Sequence, residues 1–488
     1  MQSRFSWAGV KSVAWAAIEA VSSVLVSVVA LLGIARLIGP TEFGLGALGL
    51  GTVQILSVVI GSLFHDALVR DPKISDRHIN AAWTVSLIIA IAACLVCVLL
   101  STPLASYYDA PKLAAVLVAF SLMLIPDAVV APLIAERRRA LDFRLVTIQY
   151  LIARLIGALI GVAMAAFGYG VWSMVAQQLI TSVVGLLIIL WCTPFRIRLC
   201  FEFGLLRPLI AFTSSIIATQ FVIQFAQRII LFYVGRVSGI TAAGYWGLAD
   251  RIVDTLQVTI TNALYHVSLS HFAKVQDRKE HLGEVIRQAN HWLVPAIFPA
   301  LLVVAIFGTD IIRFLLDDAW LPAGPATQIL AIGAIIQLRR LMDHVALNAL
   351  GHSGIALQAY LLEACLTTAA LFLFMPTMLW AVAIFRAIQP LYGYCLIVYR
   401  SMMRTARRWQ TEFFDLAIDV LLTLAIATVL WSAKPYLASQ NTIVMLIIAG
   451  IIAMITAGLL CLLLRPAMIK AAWSAIRSHP RFLALLSQ

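Results

Sequence analysis

The sequence predicts an all-α polytopic membrane protein of about fourteen transmembrane helices, built as two six-helix lobes in a parallel pseudo-repeat followed by two further C-terminal helices. Three observations carry this expectation. The 488 residues are 62% hydrophobic and only 12% charged, and their mean hydropathy is +0.97, more apolar surface than a soluble fold can hide. Apolar runs of membrane-crossing length follow one another along the whole chain. A short motif recurs at an offset of 200 residues.

At about 20 apolar residues per crossing, the first six helices fall near 12–35, 44–63, 79–101, 113–134, 145–168 and 170–192. A second six fall near 209–234, 246–270, 291–308, 326–350, 356–375 and 379–400, and the last two near 414–432 and 443–464. The first run follows Arg4 and Lys11, as the apolar core of a signal peptide would, but at about 24 residues it is too long for one, and an uncleaved first helix is expected. The lobes are accordingly 1–208 and 209–413, with the extra pair at 414–464 and a basic cytoplasmic tail at 465–488.

Orientation follows from the loops, because Lys and Arg resist translocation. Of 35 such residues, 24 fall on the side of the N-terminus, five (Arg36, Lys112, Arg236, Arg313, Lys434) on the opposite side and six within expected spans. Both termini are therefore expected in the cytoplasm, with an even number of crossings. The net charge of +12 is spread through these short gaps rather than gathered on a water-exposed domain, which argues against nucleic acid as a partner. The seven cysteines are scattered, mostly inside apolar runs, so no disulfide framework is legible. No cofactor or metal motif is expected.

The repeat divides the chain. Residues 36–48 read RLIGPTEFGLGAL and 236–248 read RVSGITAAGYWGL, matching at Arg36/Arg236, Gly39/Gly239, Thr41/Thr241, Gly44/Gly244 and Leu48/Leu248. Each copy closes the first helix of a set and opens the second. Six helices lie between them, so both enter the membrane in the same sense, as in transporters with parallel repeats.

The stretch at 36–44, the AAGYWGLA stretch at 242–249 and the two extra C-terminal helices resemble the polysaccharide-transporter branch of the MOP superfamily. That resemblance implies a Wzx-type flippase of the bacterial inner membrane, carrying undecaprenyl-pyrophosphate-linked oligosaccharides by alternating access. Lipid-linked oligosaccharide and membrane lipid are then the partners, with polysaccharide polymerase and export machinery alongside. HDALVRDPKISDRHINAAW at 65–83 further resembles exporters of rhizobial exopolysaccharides such as succinoglycan.

Several local patterns have plain structural readings. GLGALG at 44–49 matches a dinucleotide fingerprint but lacks the strand and βαβ unit that give it meaning; close helix packing is expected. Cys94 and Cys97 lie inside the third expected span, and His266 and His271 stand alone, so packing and helix-end roles outweigh metal binding. Gly157 and Gly161 form a G-x-x-x-G contact face.

Charges inside the spans carry the functional expectation, because an arginine at a helix centre costs roughly 2.5–3.5 kcal/mol even on the lenient insertion scale. Arg154, Arg228, Arg251, Arg339, Arg340 and Arg386 must face protein or a wet cavity. Acidic counterparts are Glu19, Asp127, Asp250, Asp254, Asp343 and Glu363. Arg251 and Asp254 are i,i+3, and Arg339 and Asp343 are i,i+4, so each couple is placed to pair along its own helix. Arg154 and Arg228 have no such partner. They head a cationic set, with Arg251, Arg339 and Arg340, expected to bind a pyrophosphate through guanidinium forks. Gln220 and Gln224, sharing a face with Gln227, suit sugar hydroxyls and helix-to-helix bonding equally. Glu19, Asp250, Asp254, Asp343 and Glu363 are the candidates for coupling to protons or sodium.

Other readings of the same residues are a lipid II flippase and a multidrug or small-metabolite exporter of the same superfamily. A membrane polymerase or glycosyltransferase is disfavoured, since gaps of roughly 20 residues leave no room for a catalytic domain.

Overall fold

A computed structural model describes residues 7–64, 68, 75–139, 142–192, 198–275, 279–437 and 440–465. Among them the regular structure is helical, with two short 3₁₀ turns and no strand. Ten helices are long and apolar enough to cross a membrane. Helices also occupy the expected spans at 209–234, 246–270 and 326–350, which fall outside those ten and carry Arg228, Arg251, Arg339 and Arg340.

The chain forms two compact units. Unit 1 comprises Met1–Thr255, Leu315–Trp320 and Met375–Val382, and unit 2 the remainder.

Unit 1 begins with α1 (Trp7–Ser62), two helices joined at a kink where Gly39 takes φ 76° and Pro40 follows. Glycine enters this region without steric cost, and proline starts the next helix with its φ already set. α2 (Asp76–Tyr107) follows, then α3 (Pro111–Ser121) and α4 (Leu124–Arg139), which share one expected span broken at Leu122 and Met123. α5 (Phe143–Ala166) is capped by Asp142, whose carboxylate accepts from the Leu145 N–H at 3.4 Å. It packs on α6 (Trp172–Cys192) through Gly157 and Gly161. A Cβ at Gly157 would lie 2.7 Å from the Gln177 carbonyl oxygen, and one at Gly161 2.7 Å from the Gln177 Cβ, so only glycine permits this approach. α7 (Arg207–Val237) and the first half of α8 (Ile240–Val275) complete the unit.

The two copies of the repeat meet inside unit 1. The Thr41 and Thr241 hydroxyls are 2.8 Å apart. A Cβ on Gly44 would overlap the Ile240 carbonyl and stand 2.9 Å from the Gly244 nitrogen, while one on Gly244 would overlap the Pro40 carbonyl. Gly39 and Gly239 both adopt positive φ, 76° and 89°. The fully buried Trp320 sits edge-on to Phe43 of one copy at 5.4 Å and to Tyr245 of the other at 6.0 Å. The GLGALG stretch thus serves backbone-to-backbone helix crossing.

Unit 2 contains α9 (Lys279–Leu315), α10 (Ala323–Arg339), α11 (Leu341–Ala349), α12 (Ser353–Phe374), most of α13 (Leu379–Thr405), α14 (Trp409–Leu437) and α15 (Thr442–Leu464). Its polar core is an ion network. Arg339 donates to Asp419 at 2.7 Å and to Glu412 at 3.1 Å. Arg407 pairs with Glu412 at 3.0 Å and with Asp343, and Arg465 reaches Asp419 at 2.7 Å. Arg287 and His291 flank Asp415 at 3.0 and 3.1 Å. The bonds of Arg339 thus run to α14 rather than to the expected Asp343. The cause is the break at Arg340, which ends α10 and caps α11 and removes the continuous helix that i,i+4 pairing requires.

Removing one partner of a buried ion pair leaves the other charge unpaired and costs about 3–5 kcal/mol. Arg339→Gln is therefore expected to lower the unfolding midpoint of the detergent-purified protein by several degrees. A midpoint equal to wild type would show that Asp419 and Glu412 do not depend on it.

Candidate functional site

Unit 1 encloses a cavity of about 110 Å³ among α1, α5, α6, α7 and α8. Arg154 comes from α5, Arg228 from α7 and Arg251 from α8. Gln54, Gln177 and Gln178 add amide groups from α1 and α6. Each element brings its polar residue inward for a local reason. Gly51 on α1 lets α7 approach, since a Cβ there would stand 3.2 Å from Leu231 and 3.6 Å from the Arg228 Cδ. Gly157 and Gly161 hold α5 against α6, and Gly44 and Gly244 hold α1 against α8.

The electrostatics favour an anion. The Arg228 Nε is buried with no hydrogen-bond partner among the described residues. Arg251, Asp250 and Asp254 lie within electrostatic reach of Arg228, and Arg154 lines the same cavity. A buried guanidinium with unused donors is held at a desolvation cost that a phosphate or carboxylate ligand offsets by charge-assisted bonds. At about 110 Å³ the cavity is well below the 300–1,000 Å³ of pockets for drug-sized ligands, and suits a small anionic group.

The other residues expected at a site lie elsewhere. Gln220 is exposed and Gln224 half-buried on α7, and neither is among the residues lining this cavity. Arg339 belongs to the ion network of unit 2. Arg340 forms a bidentate pair with Glu363, with 3.1 Å between its Nη2 and Oε2, and donates to the Pro390 carbonyl at 3.3 Å. Asp343 is buried against Arg407 and accepts from Asn290 at 3.4 Å. Arg386 is half-buried on α13. The Glu19 side chain lies outside the described residues.

Sequence reasoning missed Gln54, Gln177, Gln178 and Thr181 as lining residues. The available signal was the Gln177-Gln178 pair, with no charge nearby, in an otherwise apolar run. Asp127 lines a second cavity of unit 1, about 450 Å³, with Gln149, Ser182 and Arg138. Among the described residues no group of three or more His, Cys, Asp or Glu is placed to hold a metal. The Cys94 thiol donates to the Ser121 carbonyl at 3.0 Å and Cys97 is buried, so this C-x-x-C is a packing feature.

Comparison with known proteins places this geometry in context. A family model described as "Polysaccharide biosynthesis protein" matches residues 34–325. The succinoglycan biosynthesis transport protein ExoT of Rhizobium meliloti is 22% identical over 404 residues, covering 80% of each chain. The lipopolysaccharide biosynthesis protein WzxC of Escherichia coli is 20% identical over 330 residues, covering 66% of each. Among solved structures, the lipid II flippase MurJ in an inward closed conformation superposes with a TM-score of 0.69 at 12% identity, over 91% of this chain and 99% of that one. An inward-facing multidrug resistance MATE transporter of the MOP superfamily gives 0.54 at 13% identity, over 80% and 93%. These two likenesses concern the fold.

Proposed function

The chain belongs to the polysaccharide biosynthesis protein family, and from that premise we propose that it is a flippase moving undecaprenyl-pyrophosphate-linked oligosaccharide repeat units across the bacterial inner membrane by alternating access. Arg154, Arg228 and Arg251 bind the pyrophosphate, and the lipid tail stays in the bilayer. The single observation that carries this reading is the convergence of three arginines from three helices on one cavity, with the Arg228 Nε unpartnered. Relatives named for succinoglycan transport and lipopolysaccharide biosynthesis supply the class of cargo.

Asp250 and Asp254, within electrostatic reach of Arg228 in unit 1, take the cation-coupling role. Polymerase and export machinery receive the flipped unit on the far side. The lobes 1–208 and 209–413 rock about the crossing of Gly44 and Gly244, where backbones touch and side chains do not intervene.

Deleting the chain from its host tests the function directly. Lipid-linked repeat units of the exported polysaccharide accumulate on the cytoplasmic leaflet, and lipid II does not; accumulation of lipid II instead would replace this cargo with the cell-wall precursor. Orientation has its own test. Alkaline phosphatase fused within residues 108–110 is expected to be active and fused within 140–142 inactive, and the reverse pattern would overturn cytoplasmic termini.

A further inference from the structure

We propose that unit 2 carries a second ligand subsite, a neutral cavity of about 380 Å³ that takes uncharged pyranose rings. It rests on the flippase reading and deepens it by giving the glycan a place of its own. The need for one follows from size. The arginine cavity of unit 1, at about 110 Å³, has room for phosphoryl oxygens but not for sugars, whereas the cavity of unit 2 falls inside the range of pockets that enclose a ligand.

Its lining has the matching chemistry. Asn262 and Tyr265 come from α8, Gln337 and Arg340 from the end of α10, His344 from α11 and Tyr360 from α12. The one formal charge among them is cancelled, because Glu363 holds Arg340 in a bidentate pair while the guanidinium lies 5.7 Å from the centre of the Tyr360 ring. An anion gains little there, and a polyhydroxyl ligand meets amides and hydroxyls that both donate and accept. Three rings form the apolar wall. His344 is edge-on to Tyr360 at 6.0 Å and tilted against Tyr265 at 6.4 Å, an arrangement that presents flat apolar faces beside polar tips.

The wall is also held in place from behind. The Asn348 amide donates to the Tyr265 hydroxyl at 3.2 Å and bonds the His344 Nε2 at 3.3 Å, which orients both rings as a supporting shell does. The Asn348 Oδ1 is buried with no hydrogen-bond partner among the described residues. Asn262 is exposed and Gln337 half-buried, so the hydrogen-bonding groups facing the cavity are accessible to a ligand. The break at Arg340, where α10 ends and α11 restarts, lies at the cavity wall.

The test uses the full chain in nanodiscs and two probes: the neutral oligosaccharide released by mild acid from the lipid-linked intermediate of the host, and inorganic pyrophosphate. Binding is read by saturation-transfer NMR and calorimetry. Asn262→Ala and Gln337→Ala, each checked for a wild-type melting profile, are expected to weaken the oligosaccharide by about threefold to tenfold, the worth of a neutral hydrogen bond, and to leave pyrophosphate unchanged. Arg228→Gln is expected to do the opposite. Failure of the wild-type chain to bind the oligosaccharide, or binding untouched by both unit 2 substitutions, overturns the subsite. Pyrophosphate binding that survives Arg228→Gln overturns the arginine-cavity assignment alone, so the two failures are distinguishable.

Discussion

Arg228→Gln reduces polymer export roughly 10- to 100-fold while the protein remains inserted at wild-type abundance. The magnitude comes from hydrogen bonds to charged groups, each worth about 1.5–3 kcal/mol, or one to two decades. Glutamine keeps much of the length and polarity of the side chain but loses the charge and the fork. Arg228→Lys is expected to fall between the two, because an ammonium restores the charge without the paired donors that match two phosphoryl oxygens. Arg154→Gln behaves like Arg228→Gln, since both guanidiniums line the same cavity. Export is measured as polysaccharide in the medium together with lipid-linked repeat units retained in the membrane. Full export by both glutamine variants would remove these arginines from the site.

Gly44→Ala and Gly244→Ala abolish export and lower the unfolding midpoint together. A methyl group at either position runs into a main-chain carbonyl, that of Ile240 or of Pro40, and no rotamer change relieves a clash with backbone. The helices must separate, which costs about 1–3 kcal/mol for a forced overpacking and moves the Arg251 and Gln54 walls of the cavity apart. Gly450→Ala is the control, with nothing within 4 Å of its Cβ on α15; it exports normally and gains slightly from helix propensity. If Gly44→Ala and Gly244→Ala melt and export like Gly450→Ala, the crossing is not the pivot.

The 200-residue offset made that crossing legible in part. It paired Thr41 with Thr241 and Gly44 with Gly244 as equivalent positions, and equivalence about a parallel repeat says nothing of contact. The structure brings the two hydroxyls to 2.8 Å, each at the start of a helix that follows a positive-φ glycine, Gly39 or Gly239. The arginines were legible for a different reason. A guanidinium in an apolar run is too costly to face lipid, so Arg154 and Arg228 announced a polar interior before any partner was known. Gln177 and Gln178 carried no such penalty and did not stand out.

Arg339 and Asp343 show where helical spacing misleads. The i,i+4 rule assumes an unbroken helix, and no proline or glycine between residues 339 and 343 warns of the break at Arg340. Their true partners, Asp419, Glu412 and Arg407, are 64 to 80 positions away.

What the sequence determined by itself was the class of molecule, the positions of the helices, the helix-packing role of the glycines and the need for buried cationic chemistry, since each follows from the cost of placing a group in lipid or from spacing along one helix. Only the tertiary structure decided which charges are neutralised and which face a cavity. That choice depends on which distant helices approach within bonding distance, and an ion pair such as Arg340 with Glu363, or a cavity lined from five helices, leaves no periodic trace along the chain.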